Sequence, residues 1–438
     1  MDLTDNRVVP KSTAWLTVFV LLILYALAYF DRQIISLMVS DLKASFGLTD
    51  FRISLLQGLS FAVVYGVLGL PLGWAADRLQ RRYVILTGVL IWSCAATACG
   101  FARTFPELLA ARMFVGAGEA AIMPCALSML SDLFPKRQLT SALSVFVIGG
   151  VLGSELSVVL GGMLIHYASA GVEVPILGTL SAWRFAFIAA GLSGLLLAFL
   201  IFVVPEPGRR HNEASDQQSW TDLFAFLRKR RLFFLCHFIG FGSILMLSFA
   251  RASWMPTILA RQFDWPMDRI GYVLGTLGSI SSVAAFLISG WWVDRWVSQG
   301  VRDAHFRLYI AGSVVIFVFG LGGLLMPSAG LMLSAMTIAG LPLTIGAIAA
   351  SAIQTVTPPR LNGRVYAIYL LFVGTTAMTL GPSIVGALTD FWFHDTAKVH
   401  LSLAVCFAIL PILAFAAFAI GLRPMREASA QALEQVRS

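Results

Sequence analysis

The chain has 438 residues, 58% of them hydrophobic and 12% charged, with a mean hydropathy of +0.82. A soluble domain carries about 25% charged residues, so a water-soluble globule is excluded and a protein of many membrane spans is implied. The formal net charge of +8 would suit nucleic acid, but its placement along the chain follows membrane topology instead.

A membrane helix needs about 20 mainly apolar residues. Twelve stretches qualify, at roughly 14–40, 53–76, 82–102, 105–131, 138–167, 180–203, 233–260, 269–293, 306–326, 329–355, 362–390 and 399–422. The first is too long for the apolar region of a signal peptide, about 7–15 residues, and no small-residue cleavage site follows it, so it stays as span 1. An even count places both termini on one side. Of the 31 basic residues, 21 fall on the side of the N-terminus, among them Arg7, Arg209 and Arg210. The other side holds six: Lys43, Arg52, Arg103, Arg261, Arg269 and Lys398. Four more, Arg32, Arg112, Arg184 and Arg251, lie within spans or at their ends. The positive-inside bias therefore puts both termini in the cytoplasm.

Glu206 to Arg231 is the longest polar stretch. It divides the chain into an N-terminal bundle (1–203), a cytoplasmic linker (204–232) and a C-terminal bundle (233–438). Within it, "SWTDLFAFLRKRR" sets Trp220, Leu223, Phe224 and Leu227 at helical spacing before a basic cluster. That pattern reads as an amphipathic helix on the membrane surface, with a solvated connector as the alternative.

The halves echo each other. "GWAADR" (Gly73–Arg78) follows span 2 and "GWWVDR" (Gly290–Arg295) follows span 8. "FRI" at Phe51 opens span 2 and "DRI" at Asp268 opens span 8. "FDR" at Phe30 in span 1 pairs with "FAR" at Phe249 in span 7. Three matches in one order at nearly one offset indicate two six-helix repeats. The fold class is thus an all-α membrane protein, twelve helices in two pseudo-symmetric six-helix bundles, an architecture that transporters use around a central site.

"GWAADRLQRRYVIL" resembles the G-x-x-x-D-R-x-x-R-[RK] signature of the major facilitator superfamily, and "RMFVGAGEA" (Arg112–Ala120) in span 4 resembles its R-x-x-x-G-x-G motif. "YFDRQIISLMVSDLKASFGLTD" followed by "RMFVGAGEAAIMPCALSMLSDLFP" is similar to the Spinster family, which has a D-R pair in helix 1 and G-x-G-E in helix 4. The resemblance implies proton-coupled export of amphipathic lipids such as lysophospholipids or sphingosine-1-phosphate. A D-R pair in helix 1 also occurs in organic anion symporters of the same superfamily. Span 5, "GGVLGSELSVVLGG", lacks the glycine-proline motif of many antiporters and carries Glu155 in its place.

Asp31 and Arg32 stand side by side in span 1, where an unpaired charge costs roughly 2.5–3.5 kcal/mol. Asp31 lies about 24 Å along span 1, and Arg112 about 9 Å below the outer end of span 4, at similar depth. Arg112 and Glu119 are seven residues apart on one helix face. Asp31 and Glu119 are therefore expected as proton sites that share Arg112 as their cation. A lost proton strengthens the bond to arginine; a gained one frees it for an anionic headgroup, which its planar fork grips with two bonds. A permanent ion pair holding helices 1 and 4 is the alternative. Arg32 points about 100° away from Asp31, toward the cavity or another partner, and is a substrate-binding candidate that would take a carboxylate with Arg112 in the anion-symporter alternative. Arg251, its repeat partner, is a second headgroup candidate, and Glu155 a further proton site. Arg184 reads as an interfacial anchor.

Asp77, Arg78 and Arg82, with Asp294 and Arg295, are expected to form a cytoplasmic gate of ion pairs; orientation alone explains the arginines but not the aspartates. Cys94, Cys99, Cys125, Cys236 and Cys406 lie in apolar stretches without metal-ligand spacing, so buried free thiols, no metal and no cofactor are expected. Histidines 211, 305, 394 and 400, at loops or span ends, with His166 and His237, form no cluster and receive no role. Pro71, Pro124, Pro256, Pro342 and Pro382 are expected kinks. The 32 phenylalanines suit a cavity for acyl chains and suit lipid-facing surfaces equally well. The implied partners are protons, a small or single-chain lipid substrate and membrane lipid, with a monomer as the default. A lipid-modifying enzyme would need a nucleophile, metal cluster or acid–base pair near one membrane face. No G-x-x-x-x-G-K loop for ATP occurs either.

Overall fold

The structure is a computed structural model that describes residues 10–175, 178–208, 220–344 and 346–437. Arg7, Arg209, Arg210 and His211, used above for topology and linker, lie outside the described residues. Among the described residues, twelve helical stretches are long and apolar enough to cross a membrane. The first six are Lys11–Leu37, Asp50–Gly69, Arg81–Phe101, Phe105–Leu133, Ser141–Tyr167 and Ala182–Val203. The last six are Arg231–Phe263, Met267–Ser298, Ala304–Leu324, Ala329–Val356, Leu361–Phe393 and Thr396–Gln431. They are spans 1 to 12 below. Helices dominate because hydrocarbon offers the backbone no hydrogen-bond partner, so each segment must pair its own amides.

Local chemistry sets the ends. Span 1 tightens from α-helix Lys11–Gln33 into a 3-10 turn at Ile34–Leu37. The following helix stops at Gly47, which takes the left-handed φ of +61°. Thr49 then caps the start of span 2, its Oγ1 accepting from the Arg52 amide at 3.3 Å. Helix Phe105–Glu119 of span 4 ends at a two-residue break before helix Ile122–Leu133. Pro124 causes it: the ring has no N–H and clashes with the carbonyl four residues back. Pro342 breaks span 10 the same way, whereas Pro71, Pro256 and Pro382 sit inside continuous helices. The last helix runs Val399–Arg437, well past the expected end at 422. A two-stranded hairpin, Val172–Val174 against Gly178–Leu180, joins spans 5 and 6 where the sequence had suggested only a connector.

The described residues fall into two compact units. The first gathers those of Met1–Leu48, Leu59–His211 and Trp265–Thr276; the second gathers those of Thr49–Gly58, Asn212–Asp264 and Leu277–Ser438. Each therefore takes in the opening turns of a span that belongs by sequence to the other half: span 2 enters the second unit, span 8 the first. In the first unit span 1 packs on span 5, and span 3 on spans 4 and 6. In the second, span 7 packs on spans 11 and 12.

Glycine makes the tightest of these contacts possible. A Cβ on Gly118 of span 4 would stand 2.6 Å from the Trp92 amide nitrogen and nearer still to the Gly88 carbonyl of span 3. Gly118→Val is therefore expected to force spans 3 and 4 apart and to lower the melting temperature in detergent. The cost is at least the 1–3 kcal/mol of an overpacked core, because backbone cannot yield as a side chain does. Gly69→Val, with nothing within 4 Å of its Cβ position, is the control expected to melt with the wild type.

Candidate functional site

The charged residues of spans 1 and 4 meet inside the first unit. Span 1 carries Tyr25, Tyr29 and Arg32 at helical spacing on one face, with Arg32 in the last α-helical turn. Span 2 offers Phe61 and Tyr65, and span 4 offers Glu119 at the residue before its break. Arg32 Nη2 donates to Glu119 Oε2 at 2.6 Å. The guanidinium lies over three rings, 4.2 Å from the Phe61 centroid, 4.5 Å from Tyr29 and 5.5 Å from Tyr65. Each such contact contributes about 0.5–2 kcal/mol when desolvated. Glu119 is buried, while the Arg32 side chain keeps 13% of its surface exposed. The pair thus has a sealed acidic end and an approachable basic end.

The pairing differs from the expected one. Arg112 is fully buried, but its Nη1 donates to the backbone carbonyl of Asp31 at 3.2 Å and not to the carboxylate. Neither Asp31 carboxylate oxygen has a hydrogen-bond partner, nor do Arg112 Nε and Nη2. Asp31, Arg112 and Glu119 still form one electrostatic group, with the Trp92 indole beside the Asp31 carboxylate. Arg32, expected to face the cavity or to pair elsewhere, takes Glu119. Gly116 lets span 4 come that close: a Cβ there would stand 2.8 Å from the Phe61 carbonyl.

Glu155 lies on span 5, half-buried, where its backbone carbonyl would stand 3.0 Å from a Cβ on Gly275. It is not brought to Glu119 by any hydrogen bond described. Arg251 is on span 7 in the second unit, also half-buried. Arg184 caps span 3: its two terminal nitrogens donate to the Gly100 and Ala102 carbonyls, each at 2.8 Å, while it stacks over Trp183. That anchors the start of span 6 on the end of span 3 and satisfies carbonyls that a helix end leaves open.

Of the gate residues, Asp77, Arg78, Asp294 and Arg295 are exposed and Arg82 is half-buried. Arg78 stacks over Trp74 at 4.9 Å and Arg295 over Trp291 at 5.4 Å. These are the same contacts at the same positions of the repeat. Sequence reasoning passed over Arg81, whose side chain is 1% exposed. Arg81 Nε donates to Glu206 Oε1 at 2.9 Å, Nη1 to Ser128 Oγ at 3.0 Å and to Asp132, and Nη2 to the Pro207 carbonyl at 2.7 Å. Its position inside the D-R-x-x-R motif was the available signal.

Two features of the second unit were missed as well. Fully buried Asp50 receives both Arg261 terminal nitrogens at 2.8 Å. Buried His237 and His305 bond the Ala349 carbonyl and Ser351 Oγ of span 10 at 3.0 and 2.9 Å. The amphipathic helix forms at Trp220–Lys229, with Leu223 buried and Phe224 exposed. Arg230, counted above as a topology signal, is buried, and it donates to the Val356 and Ala428 carbonyls. Desolvation there pulls its guanidinium below the usual arginine range. Among the described residues no group of three or more His, Cys, Asp or Glu is placed to hold a metal.

The twelve apolar helices among the described residues, with charges buried between them, define a multi-pass membrane protein, and a family match makes it a transporter. The chain belongs to the Major Facilitator Superfamily, whose pattern matches residues 21–382. It is similar to Spinster proteins: it is 28% identical to Protein spinster of Drosophila melanogaster over 249 residues, 56% of this chain and 39% of that protein. It is 30% identical to mouse Protein spinster homolog 1 over 268 residues, 58% and 48% of the two chains. The match thus covers about half the length or less of these relatives. An MFS-type efflux pump of Mycolicibacterium smegmatis is 25% identical over 401 residues, 90% of this chain and 88% of the pump. In fold the chain is similar to a bacterial homologue of the human lysosomal transporter Spinster, solved inward-facing and unoccupied. The TM-score is 0.77 at 19% identity, covering 97% of this chain and 98% of that one.

Proposed function

We propose that the protein is a proton-coupled secondary transporter that works by alternating access and moves an amphipathic, anionic or zwitterionic lipid of the lysophospholipid or sphingolipid type. The observation that carries this reading is the Arg32–Glu119 ion pair under its three aromatic rings. While Glu119 is ionised, Arg32 is engaged. A proton on Glu119 removes the opposing charge and releases a guanidinium whose exposed edge takes a phosphate or carboxylate, the rings accepting the adjoining apolar part. Arg32 thereby takes the switch role first given to Arg112. Arg112 and Asp31 form the neighbouring charge couple, and protonation of Asp31 shifts the field at Glu119. Arg251 remains a headgroup candidate and Glu155 a further proton site. Asp77, Arg78, Arg82, Asp294 and Arg295 act as the gate on the cytoplasmic side, which holds both termini. The protein works as a monomer in a bacterial cytoplasmic membrane. The spinster homologues and the efflux pump support a transport reading; the choice of lipid rests on the resemblance to the Spinster family, and a cation set among aromatic rings suits such a substrate.

The test is uptake of a labelled lysophospholipid into proteoliposomes driven by an imposed pH gradient. Asp31→Asn and Glu119→Gln are each expected to abolish gradient-driven uptake, at least tenfold, while the protein inserts and melts as a folded chain. Undiminished uptake in Glu119→Gln removes the switch. If short organic acids of equal charge are carried and lysophospholipid is not, the reading passes to an organic anion symporter.

A further inference from the structure

Away from the charged constellation, the second unit carries a pair of cavities where spans 8, 9 and 10 meet. Span 10 is broken there, helix Ala329–Gly340 giving way to a 3-10 turn at Leu341–Leu343. Span 9 closes on the break through Gly312, where a Cβ would stand 2.9 Å from Pro342 Cβ. Beside this contact opens a groove of 210 Å³ lined by Ala285, Ile288, Ser289, Ala311, Gly312 and Pro342, among others. The hydroxyls on its wall are turned away to backbone: Ser289 donates to the Phe286 carbonyl at 3.5 Å and Tyr309 to the Thr344 carbonyl at 3.1 Å. A groove so lined is a poor site for water, which needs polar partners.

About 10 Å further along span 8 lies a second crevice of 380 Å³, lined by Trp296, Gln299, Val301, Arg307 and Ile310. Between the two stands a chain of tryptophans, Trp291 on Trp292 at 5.6 Å and Trp292 on Trp296 at 5.4 Å. Tryptophan collects at the boundary between hydrocarbon and water, so the groove lies on the hydrocarbon side and the crevice on the water side. The crevice is basic. Buried Asp303 sits between Arg307 Nε at 2.8 Å and Arg426 Nε at 3.0 Å, one carboxylate against two guanidiniums. Arg307 keeps 51% of its side chain exposed, and Arg302 beside it is exposed too.

We propose that these cavities form a binding site for an anionic phospholipid of the surrounding membrane. Its phosphate lies in the crevice against Arg307 and Gln299, and one acyl chain fills the groove under Trp296. The excess positive charge selects an anionic headgroup, as basic pockets at membrane surfaces do. The apolar groove takes the chain, whose seat against Pro342 supports span 10 at its break. The site is separate from the transport residues, all of which but Arg251 and the Asp294–Arg295 pair belong to the first unit or its loops, and it stands whether or not the transport reading does.

The experiment is native mass spectrometry of delipidated protein titrated with dioleoylphosphatidylglycerol or dioleoylphosphatidylcholine. The first lipid is expected to bind at about tenfold lower concentration, since the two differ only at the headgroup. Ala311→Phe fills the groove from an exposed position and should weaken binding by more than about tenfold through the lost chain contacts. Gln299→Glu sets a like charge beside the phosphate and should weaken it about fivefold. Gln299→Glu also covers the case in which Arg307→Gln fails to fold through loss of the Asp303 pair. Val314→Phe, exposed on the same span but outside the groove, should bind as the wild type does. Glu119→Gln should also leave binding unchanged. Equal affinity for the two lipids, wild-type affinity in Ala311→Phe, or altered binding in Glu119→Gln, tighter above all because Arg32 is then released, each overturns the proposal, the last by placing the lipid at the transport site.

Discussion

Glu119→Ala is expected to destabilise the protein by about 3 kcal/mol, at the lower end of the 3–5 kcal/mol seen when one partner of a buried ion pair is removed. Two effects set that figure. Arg32 loses the ionised partner 2.6 Å away and is left as a cation with 13% of its side chain exposed. Against this, the three rings at 4.2, 4.5 and 5.5 Å still hold the guanidinium and offset part of the loss. Glu119→Gln keeps an acceptor at the same place and should cost less, about 1–2 kcal/mol, as the loss of charge assistance from one hydrogen bond. The double variant Arg32→Met with Glu119→Leu removes both charges and should recover most of the stability, since apolar replacements of buried pairs are often neutral. It should also transport nothing. Thermal melting in detergent and denaturant titration read the first three results, and proteoliposome uptake reads the last. A double variant that melts with the wild type and is inactive separates a functional pair from a structural brace. Wild-type stability in Glu119→Ala would show instead that Glu119 is not charged against Arg32 in the resting protein.

The twelve spans were legible because lipid leaves a helix no alternative, and hydropathy reads that demand directly. The repeat was legible too, and it extends below the level of the motif: Trp74–Arg78 and Trp291–Arg295 make the same stacked contact, 217 residues apart. That Asp31, Arg112 and Glu119 lie together could be argued from depth along each helix. Which cation meets which carboxylate could not, because rotation about the helix axis decides it. Rotation is fixed by packing at Gly116 and Gly118, where span 4 touches spans 2 and 3, and no one-dimensional count contains it. The same limit hid Asp50–Arg261. Arg261 was counted as an outlying base and Asp50 received no reading, and nothing local says they share a site. His237 and His305 looked idle for a similar reason: their partners, Ala349 and Ser351, are a carbonyl and a hydroxyl of span 10, invisible to a search for clustered titratable groups.

Arg81→Ala is the second large effect expected, again about 3 kcal/mol, and it tests a joint the motif alone does not describe. Arg81 opens span 3 and spends four hydrogen bonds on two places. Ser128 and Asp132 lie at the far end of span 4, and Glu206 and the Pro207 carbonyl lie just beyond span 6. Glu206 in turn accepts from the Arg82 amide at 2.9 Å, so its second oxygen caps the start of span 3. Removing the guanidinium takes away the cation that the Asp132 and Glu206 carboxylates share. Their side chains are 12% and 22% exposed, so water repays part of the loss, which keeps the estimate at the low end of the range for a broken buried pair. Arg81→Lys keeps the charge but not the planar fork that reaches several acceptors at once, and should recover only about half. The decisive measurement is a double-mutant cycle between Arg81→Ala and Glu206→Ala by thermal or denaturant unfolding. Residues in one ion-pair network couple by about 0.5–3 kcal/mol, and the bond at 2.9 Å places this pair in the upper half of that range. A coupling near zero would mean that Asp132 alone neutralises Arg81, and that the segment after span 6 is held by its backbone contact through Pro207 and not by Glu206.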